Sequence, residues 1–205
     1  METLVMVFLK FPEPGRVKTR LGAEVGDEEA VRIYRELVRC VLGRIPDEQR
    51  VRIVFDPVDK ELEVRDWLAG QVEQAGVVDF RAQVEGDLGE RMRAAFDEAF
   101  ADGAERVVVV GTDCVDLGKV EYRDALWMLE AGHDVVFGMA EDGGYYLLGL
   151  SRPAPGLFRG IPWSSEQTLA ASFAAASDAG LVVGLLRPLS DVDTLADWER
   201  VKDRL

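Results

Sequence analysis

Residues 106–114 read Arg-Val-Val-Val-Val-Gly-Thr-Asp-Cys. Four consecutive valines suit a strand covered on both faces, because a strand with one wet face would alternate apolar and polar residues. The run passes straight into Gly111, and a carboxylate follows at Asp113. A second run of this kind, Thr3–Leu9 (TLVMVFL), opens the chain. Doubly covered strands need helices above and below their sheet, and helical spacing recurs between the strands. Val31, Tyr34, Leu37, Val38, Val41 and Leu42 predict a helix from about Glu28 to Arg44, with Asp27 as its cap. Val51–Phe55 reads as a strand closed by Asp56-Pro57, Lys60–Leu68 as a short helix and Val77–Gln83 as a third strand. Leu88–Phe100 reads as a helix with Met92, Ala95, Phe96 and Ala99 on one face. Beyond the valine run, Tyr122–Ala131 is a predicted helix. Asp134–Met139 and Tyr145–Leu150 flank Asp142-Gly143-Gly144 as a predicted hairpin. Ser165–Ala176 is read as a helix, Leu181–Leu186 as the last strand and Thr194–Leu205 as the last helix.

This alternation predicts an α/β fold with a mainly parallel sheet, formed by one domain over residues 1–205. In such sheets ligands bind outside the carboxyl ends of the strands. The loops that follow the strands ending near 9, 83, 110 and 140 are therefore expected along one edge.

Composition narrows the partners. The chain is 48% apolar and 30% charged, as globular proteins are, and carries a net charge of −14. That balance argues against nucleic acid and against an anionic membrane surface. An anionic nucleotide would need a local cluster of cations or a metal ion to offset the field. No apolar run reaches the 18 residues or so of a membrane span, and no basic segment precedes an apolar leader. Cys40 and Cys114, with no CxxC, are expected as reduced thiols of a cytoplasmic protein. His133 is the sole histidine, expected exposed in a Gly-His-Asp turn, so His-based triads and multi-His zinc sites are hard to build. GxSxG, HExxH and GxGxxG are absent.

Five segments could carry chemistry. Lys10-Phe11-Pro12-Glu13-Pro14-Gly15-Arg16-Val17-Lys18-Thr19-Arg20-Leu21 follows the first strand and packs four cationic residues into eleven positions. Only five lysines occur beside nineteen arginines, and two of the five lie here. Prolines stiffen the loop, Gly15 lets the backbone approach a ligand, and the cations suit a pyrophosphate. A charged surface loop is the plainer alternative. Asp113, just past a buried strand, can ligate a divalent cation or, like Asp116, cap a helix. Asp142-Gly143-Gly144-Tyr145-Tyr146 is either a hairpin turn or a backbone shaped for a ligand. In Ser190-Asp191-Val192-Asp193-Thr194, Asp193 is the candidate second metal ligand, and capping by Asp193 or Thr194 is the alternative. Gly86-Asp87-Leu88-Gly89-Glu90-Arg91 opens a helix whose start can hold an anion or a base edge, or is simply capped.

In this order and spacing, KFPEPGRVKTRL, QVEGDLGERM, GTDC, DGGYYLLGL and DVDT resemble the bacterial DUF2064 proteins, also called family-two-like or arsenosugar-type glycosyltransferases. The resemblance runs over about positions 4–200. It implies a three-layer α/β/α, mixed but mainly parallel GT-A-like fold, that of the nucleotide-diphospho-sugar transferases. It further implies Lys10, Pro14, Gly15, Lys18 and Arg20 as a phosphate-binding loop, and Asp113 and Asp193 as ligands of Mg²⁺ or Mn²⁺. Gln83, Asp87, Gly89 and Arg91 fall on the base and ribose side, and Gly143, Gly144 and Tyr145 on the acceptor side. Val115 stands where Pro is usual in the family, and Ser165-Glu166 where Ser-Thr is usual.

The function expected is transfer from a nucleotide-diphosphate sugar to a small-molecule acceptor. Lys18 would stabilise the departing diphosphate, and Asp142 is the candidate base. A nucleotidyltransferase of guanylyltransferase type, releasing pyrophosphate, uses the same loops. A non-catalytic nucleotide-binding module is the third class. A homodimer is compatible with all three.

Overall fold

The structure is a computed structural model. It describes residues 2–71 and 77–205, with all their side chains except those of 77 and 78. The elements run β1 (Thr3–Lys10), α1 (Thr19–Val25), α2 (Asp27–Arg44), β2 (Arg50–Asp56), α3 (Glu61–Leu68), β3 (Val77–Ala82) and α4 (Leu88–Ala101). They continue with β4 (Arg106–Val110), α5 (Lys119–Glu130), β5 (Val135–Ala140), β6 (Tyr145–Leu150), α6 (Thr168–Asp178), β7 (Val183–Leu189) and α7 (Leu195–Val201).

The strands form one sheet in the order β3-β2-β1-β4-β6-β5-β7. All neighbouring pairs are parallel except the two that involve β6. The expected hairpin forms, and its return strand β6 lodges between β4 and β5. Because β6 alone is reversed, β1 to β5 and β7 end on the same edge, together with the start of β6. The expected gathering of loops follows from this.

Alternation along the two central strands makes the layers. Val5, Val7, Leu9, Val108 and Val110 face a core shared with Tyr34, Val38 and Val41 of α2, Val64 of α3 and Tyr122 of α5. Leu4, Met6, Val107 and Val109 face the opposite core, with Met92, Phe96 and Ala99 of α4 and Ala176 of α6. A third, smaller cluster lies beside the sheet. In it Leu21 of α1 and Ile33 and Leu37 of α2 meet Val192, Trp198 and Val201. The fold is the three-layer α/β/α arrangement with a mixed, mainly parallel sheet.

Several local expectations are corrected. Helix α1 was not legible, because its seven residues carry too few apolar positions to show a period. Asp27 does not cap α2: Gly26 occupies that position, and the Asp27 carboxylate lies over Gly15 and Gly22. Helix α5 starts at Lys119, with the Gly118 amide donating to Glu121 Oε2. Helix α6 starts at Thr168, because Ser165 and Thr168 hydroxyls donate to the Pro162 carbonyl and hold a turn before it. Strand β7, at the edge of the sheet, runs from Val183 to Leu189 and alternates as far as Arg187. His133 is half-buried, with Nδ1 2.9 Å from the Met128 carbonyl oxygen.

Candidate functional site

Between β1 and β4 the strand order reverses direction. At such a switch point the flanking loops diverge and leave a crevice at the carboxyl edge. The loop after β1 and Gly111-Thr112-Asp113 after β4 flank it. The first loop is anchored before it is cationic. Phe11 N–H donates to the Asp56 carbonyl at 2.7 Å, Arg16 N–H to the Glu13 carbonyl at 3.1 Å, and Val17 is buried in the core. Gly15 turns at φ 73°, and Lys18, at φ 46°, directly precedes α1. Left-handed backbone is uncommon for a side chain like lysine, so Lys18 is held there by its surroundings. Lys10 is exposed, and Arg16 pairs at the surface with Glu13.

Lys18 Nζ lies 2.7 Å from Asp113 Oδ1 and 3.0 Å from Asp193 Oδ1, and its side chain is 5% exposed. Burial alone would lower its pKa, but Asp113 and Asp193 outweigh burial and hold it above the ordinary lysine value. Arg20, 78% exposed, stands 3.7 Å from Asp193 Oδ2. Three observations explain how residues so distant in sequence meet. The third apolar cluster binds α1 to α7 and so brings Lys18 beside the approach to α7. Val192 N–H donates to the Asp113 carbonyl at 3.0 Å, joining the two acidic loops. Thr194 caps α7 with Asp197, whose Oδ2 also accepts from Asp193 N–H. The cap is therefore Thr194, which leaves the Asp193 carboxylate free for Lys18. Asp113 does not cap a helix either, and Asp116 pairs with Arg204.

Two participants were not legible from residue types. Asp191 is mostly buried, and its Oδ1 has no hydrogen-bond partner among the described residues. Burial, then the nearby Asp113, pushes its pKa up to about 7; Lys18 opposes this, and Asp142 and Asp193 add to it. The doubled acid of Asp-Val-Asp was its only sequence signal. Tyr34 of α2 accepts from Lys10 N–H at 2.9 Å and donates to the Lys10 carbonyl at 3.1 Å, and its hydroxyl lies beside the Thr112 side chain. One buried phenol thus ties the end of β1 to the end of β4.

A second group sits at the end of β3, two strand spacings or about 10 Å from β1. Gln83 Nε2 donates to the Leu9 and Val54 carbonyls, and its Oε1 accepts from Arg91, whose Nε donates to the Gly86 carbonyl. Asp87 and Glu90 cap α4 reciprocally. These side chains are committed to the frame, with Gln83 lacing three strand ends together. At Gly89 a Cβ would come within 2.5 Å of Trp163 Nε1, so the glycine is the seat of that indole.

On the hairpin side, Asp142 Oδ1 accepts from Gly144 N–H at 2.9 Å, and Gly143 turns at φ 89°. A Cβ on Gly143 would strike the Glu166 backbone, and Leu169 N–H donates to the Gly143 carbonyl. Tyr145 stands edge-on to Trp163 at 6.5 Å. The segment around 163–166 thereby spans from Gly89 to Gly143. The structure brings Lys18, Arg20, Asp113, Asp191 and Asp193 together, with Asp142 near enough to act on Asp191.

The donor set fits a hard divalent cation. Asp113 and Asp193 both contact one positive charge, that of Lys18, so a single cation between them can meet both. Magnesium takes one or two carboxylates and completes its shell with phosphate and water oxygens. Among the described residues no three His, Cys, Asp or Glu side chains converge as an all-protein cage. Cys114 offers no reactive thiol, since burial pushes its pKa up to about 12. Among the described residues no helix is long and apolar enough to cross a membrane.

The chain is similar to a candidate nucleotide-diphospho-sugar transferase from Desulfovibrio desulfuricans G20, with 36% identity and a TM-score of 0.88 over 100% of this chain and 87% of that one. Its fold is also that of an inositol-1-phosphate CTP transferase from T. maritima, at 13% identity and a TM-score of 0.58, covering 96% of this chain and 91% of that one. The same fold occurs in glucosyl-3-phosphoglycerate synthase from Mycobacterium tuberculosis, solved with Mn²⁺, UDP and glucosyl-3-phosphoglycerate. There the identity is 10% and the TM-score 0.55, covering 99% of this chain and 76% of that one. No curated protein matches the chain. Residues 45–165, more than half of the chain, match the family described as "Uncharacterized protein conserved in bacteria (DUF2064)". On that match, and on the identity it shares along its full length with the Desulfovibrio protein, the chain belongs to the DUF2064 family.

Proposed function

We propose that the chain, acting as one domain, transfers a group from a nucleotide-diphosphate sugar to a small-molecule acceptor. The observation that carries this reading is the meeting of Lys18, Asp113 and Asp193 at the switch point of the sheet. A diphosphate is the ligand class that suits an ammonium, a nearby guanidinium and a pair of carboxylates ready for a divalent cation. The transferase assignment of the Desulfovibrio protein and the Mn²⁺ and UDP of the mycobacterial enzyme point the same way.

In this reading Asp113 and Asp193 hold Mg²⁺ or Mn²⁺, which when bound neutralises charge on the diphosphate as it departs. Lys18 and Arg20 hold the phosphate oxygens from the β1 side, and Gly15 gives the backbone room to approach them. Tyr34 keeps the two loops in register. The frame built by Gln83, Asp87, Gly89 and Arg91 bounds the base and ribose. The hairpin turn at Gly143, Gly144 and Tyr145, backed by Trp163, bounds the acceptor, where Asp142 takes its proton.

A thermal-shift screen of nucleotides and nucleotide sugars, with and without Mg²⁺ or Mn²⁺, identifies the donor. Product analysis then decides the reaction: nucleoside diphosphate marks sugar transfer, and pyrophosphate marks the nucleotidyl transfer that the same groups would serve. Lys18→Ala should weaken binding of the nucleoside diphosphate about tenfold to a hundredfold, since a charge-assisted bond to phosphate contributes roughly 1.5–3 kcal/mol. Affinity for the bare nucleoside should stay within about twofold, on the same reasoning that only phosphate contacts are lost. Equal losses for both ligands would mean that the loop is misfolded; no loss for either would make Lys18 a solvated surface charge and put the phosphate site elsewhere. Asp142→Asn should lower kcat far more than donor affinity; a wild-type kcat would leave Asp142 as a turn former.

A further inference from the structure

The cation between Asp113 and Asp193 in this structure is the chain's own, Lys18. On the reading above, the same two carboxylates hold the metal and the same ammonium holds the diphosphate. A metal ion and the Lys18 ammonium cannot both occupy the position between the two carboxylates. We infer that the site takes metal and diphosphate only as one complex, a metal-chelated diphosphate, because binding requires Lys18 to exchange two carboxylates for phosphate oxygens.

Each half-occupied state is unfavourable for a stated reason. A metal ion arriving alone must separate Lys18 from Asp113 and Asp193. The side chain is 5% exposed, so its ammonium would be left nearly dry and unpaired, the costly way to break a buried ion pair. A diphosphate arriving alone meets Asp113 and Asp193, with Asp191 and Asp142 close by, and Lys18 is already engaged. When both arrive, the carboxylates keep a cation and the ammonium gains an anion. The two affinities are therefore linked, each raising the other by the same factor. The exchange needs no loop movement. Val17 is buried and Lys18 directly precedes α1, so the four-carbon side chain is the part that swings.

The test measures free Mn²⁺ by electron paramagnetic resonance, with pyrophosphate as the diphosphate probe. Wild type should bind Mn²⁺ weakly alone and at least about tenfold more tightly with pyrophosphate at the same free Mn²⁺, the linkage factor expected of coupled sites. Lys18→Met should bind Mn²⁺ alone about tenfold more tightly than wild type and lose most of the pyrophosphate effect. Lys18→Gln, which keeps a hydrogen-bond donor, serves where the methionine variant is poorly folded. If both variants bind Mn²⁺ no more tightly than wild type, the exchange is overturned. A measurement on wild type is independent of folding defects. With only five lysines, ¹³Cε-labelled lysine gives few signals. The Lys18 signal should move when Mg²⁺ and pyrophosphate are added together and stay in place with the same Mg²⁺ alone. An unmoved signal in both cases overturns the inference. Asp113→Asn in the Lys18→Met background separates the two levels. Unchanged Mn²⁺ binding there would mean that the metal reading itself fails. Binding abolished there, without the gain on Lys18→Met, would sink only the exchange.

Discussion

Asp191 is a carboxyl whose surroundings move it away from the ordinary chemistry of its type. Its Oδ1 has no hydrogen-bond partner among the described residues, and burial among other acids favours the protonated form. The folded pKa lies above the unfolded one, so its contribution to stability is present at low pH. It is lost as pH rises from about 3.8 through about 7. Asp191→Asn, which is neutral throughout, should flatten the stability curve of the metal-free protein over that window. It should also stabilise the protein above pH 7, by on the order of 4 kcal/mol at most. Urea denaturation in the presence of a chelator, at pH 5 and pH 8, checks this. Parallel curves for variant and wild type would mean that the carboxyl is better solvated than its surroundings indicate. A single added divalent cation should narrow the difference, because it relieves the same repulsion.

At the scale of elements, α7 is a short helix whose start matters more than its length. Thr194 and Asp197 close its first turn with reciprocal hydrogen bonds, and the same Asp197 fixes the Asp193 amide. Thr194→Ala should cost about 1 kcal/mol, the usual loss for a cap. That corresponds to a fall in Tm of roughly 2–4 °C for a chain of this size. Calorimetry reads the shift; an unchanged Tm would show that the packing of Trp198 and Val201 alone secures the helix. Gly143 is the counterpart on the hairpin. Its φ of 89° and the Glu166 backbone beside it leave no room for a Cβ. Gly143→Ala should therefore displace the 163–166 segment, visible as a change in the fluorescence of Trp163, and lower stability by about 1–3 kcal/mol. No change in either would mean that the segment gives way freely.

The whole molecule carries −14 charges, and its proposed ligand is also anionic. Long-range forces therefore oppose encounter, and the cations that follow β1 favour it. Screening should weaken the repulsion over the molecule more than the short contacts at Lys18, since exposed charges beyond about 10 Å are screened at 0.1 M salt. The association rate of a nucleoside diphosphate should rise between about 0.01 and 0.15 M salt, the range over which the Debye length falls from about 30 to 8 Å. Stopped-flow binding measures it. A rate that falls with salt would reveal a positive field at the site strong enough to steer the ligand.

The sequence by itself determined the strands, most helices and the edge on which the loops gather. These follow from local signals: the valine run of β4, the apolar run of β1 and the 3.6-residue period of α2 each lie within a few turns of chain. The sequence also singled out Lys18, Asp113 and Asp193, because unusual residue types follow buried strands or precede a helix. Only the tertiary structure decided that these three touch. Lys18 and Asp193 are separated by 175 positions, and no local period encodes that contact. It arises when Leu21, Val192 and Trp198 pack one apolar cluster beside the sheet. Tertiary packing likewise gave the cap of α7 to Thr194 and that of α4 to Asp87. It also made Gln83 a tie between strand ends. Polar side chains have several partners open to them in an extended chain. Burial removes water from the choice, and the nearest unpaired backbone group or opposite charge then takes the bond.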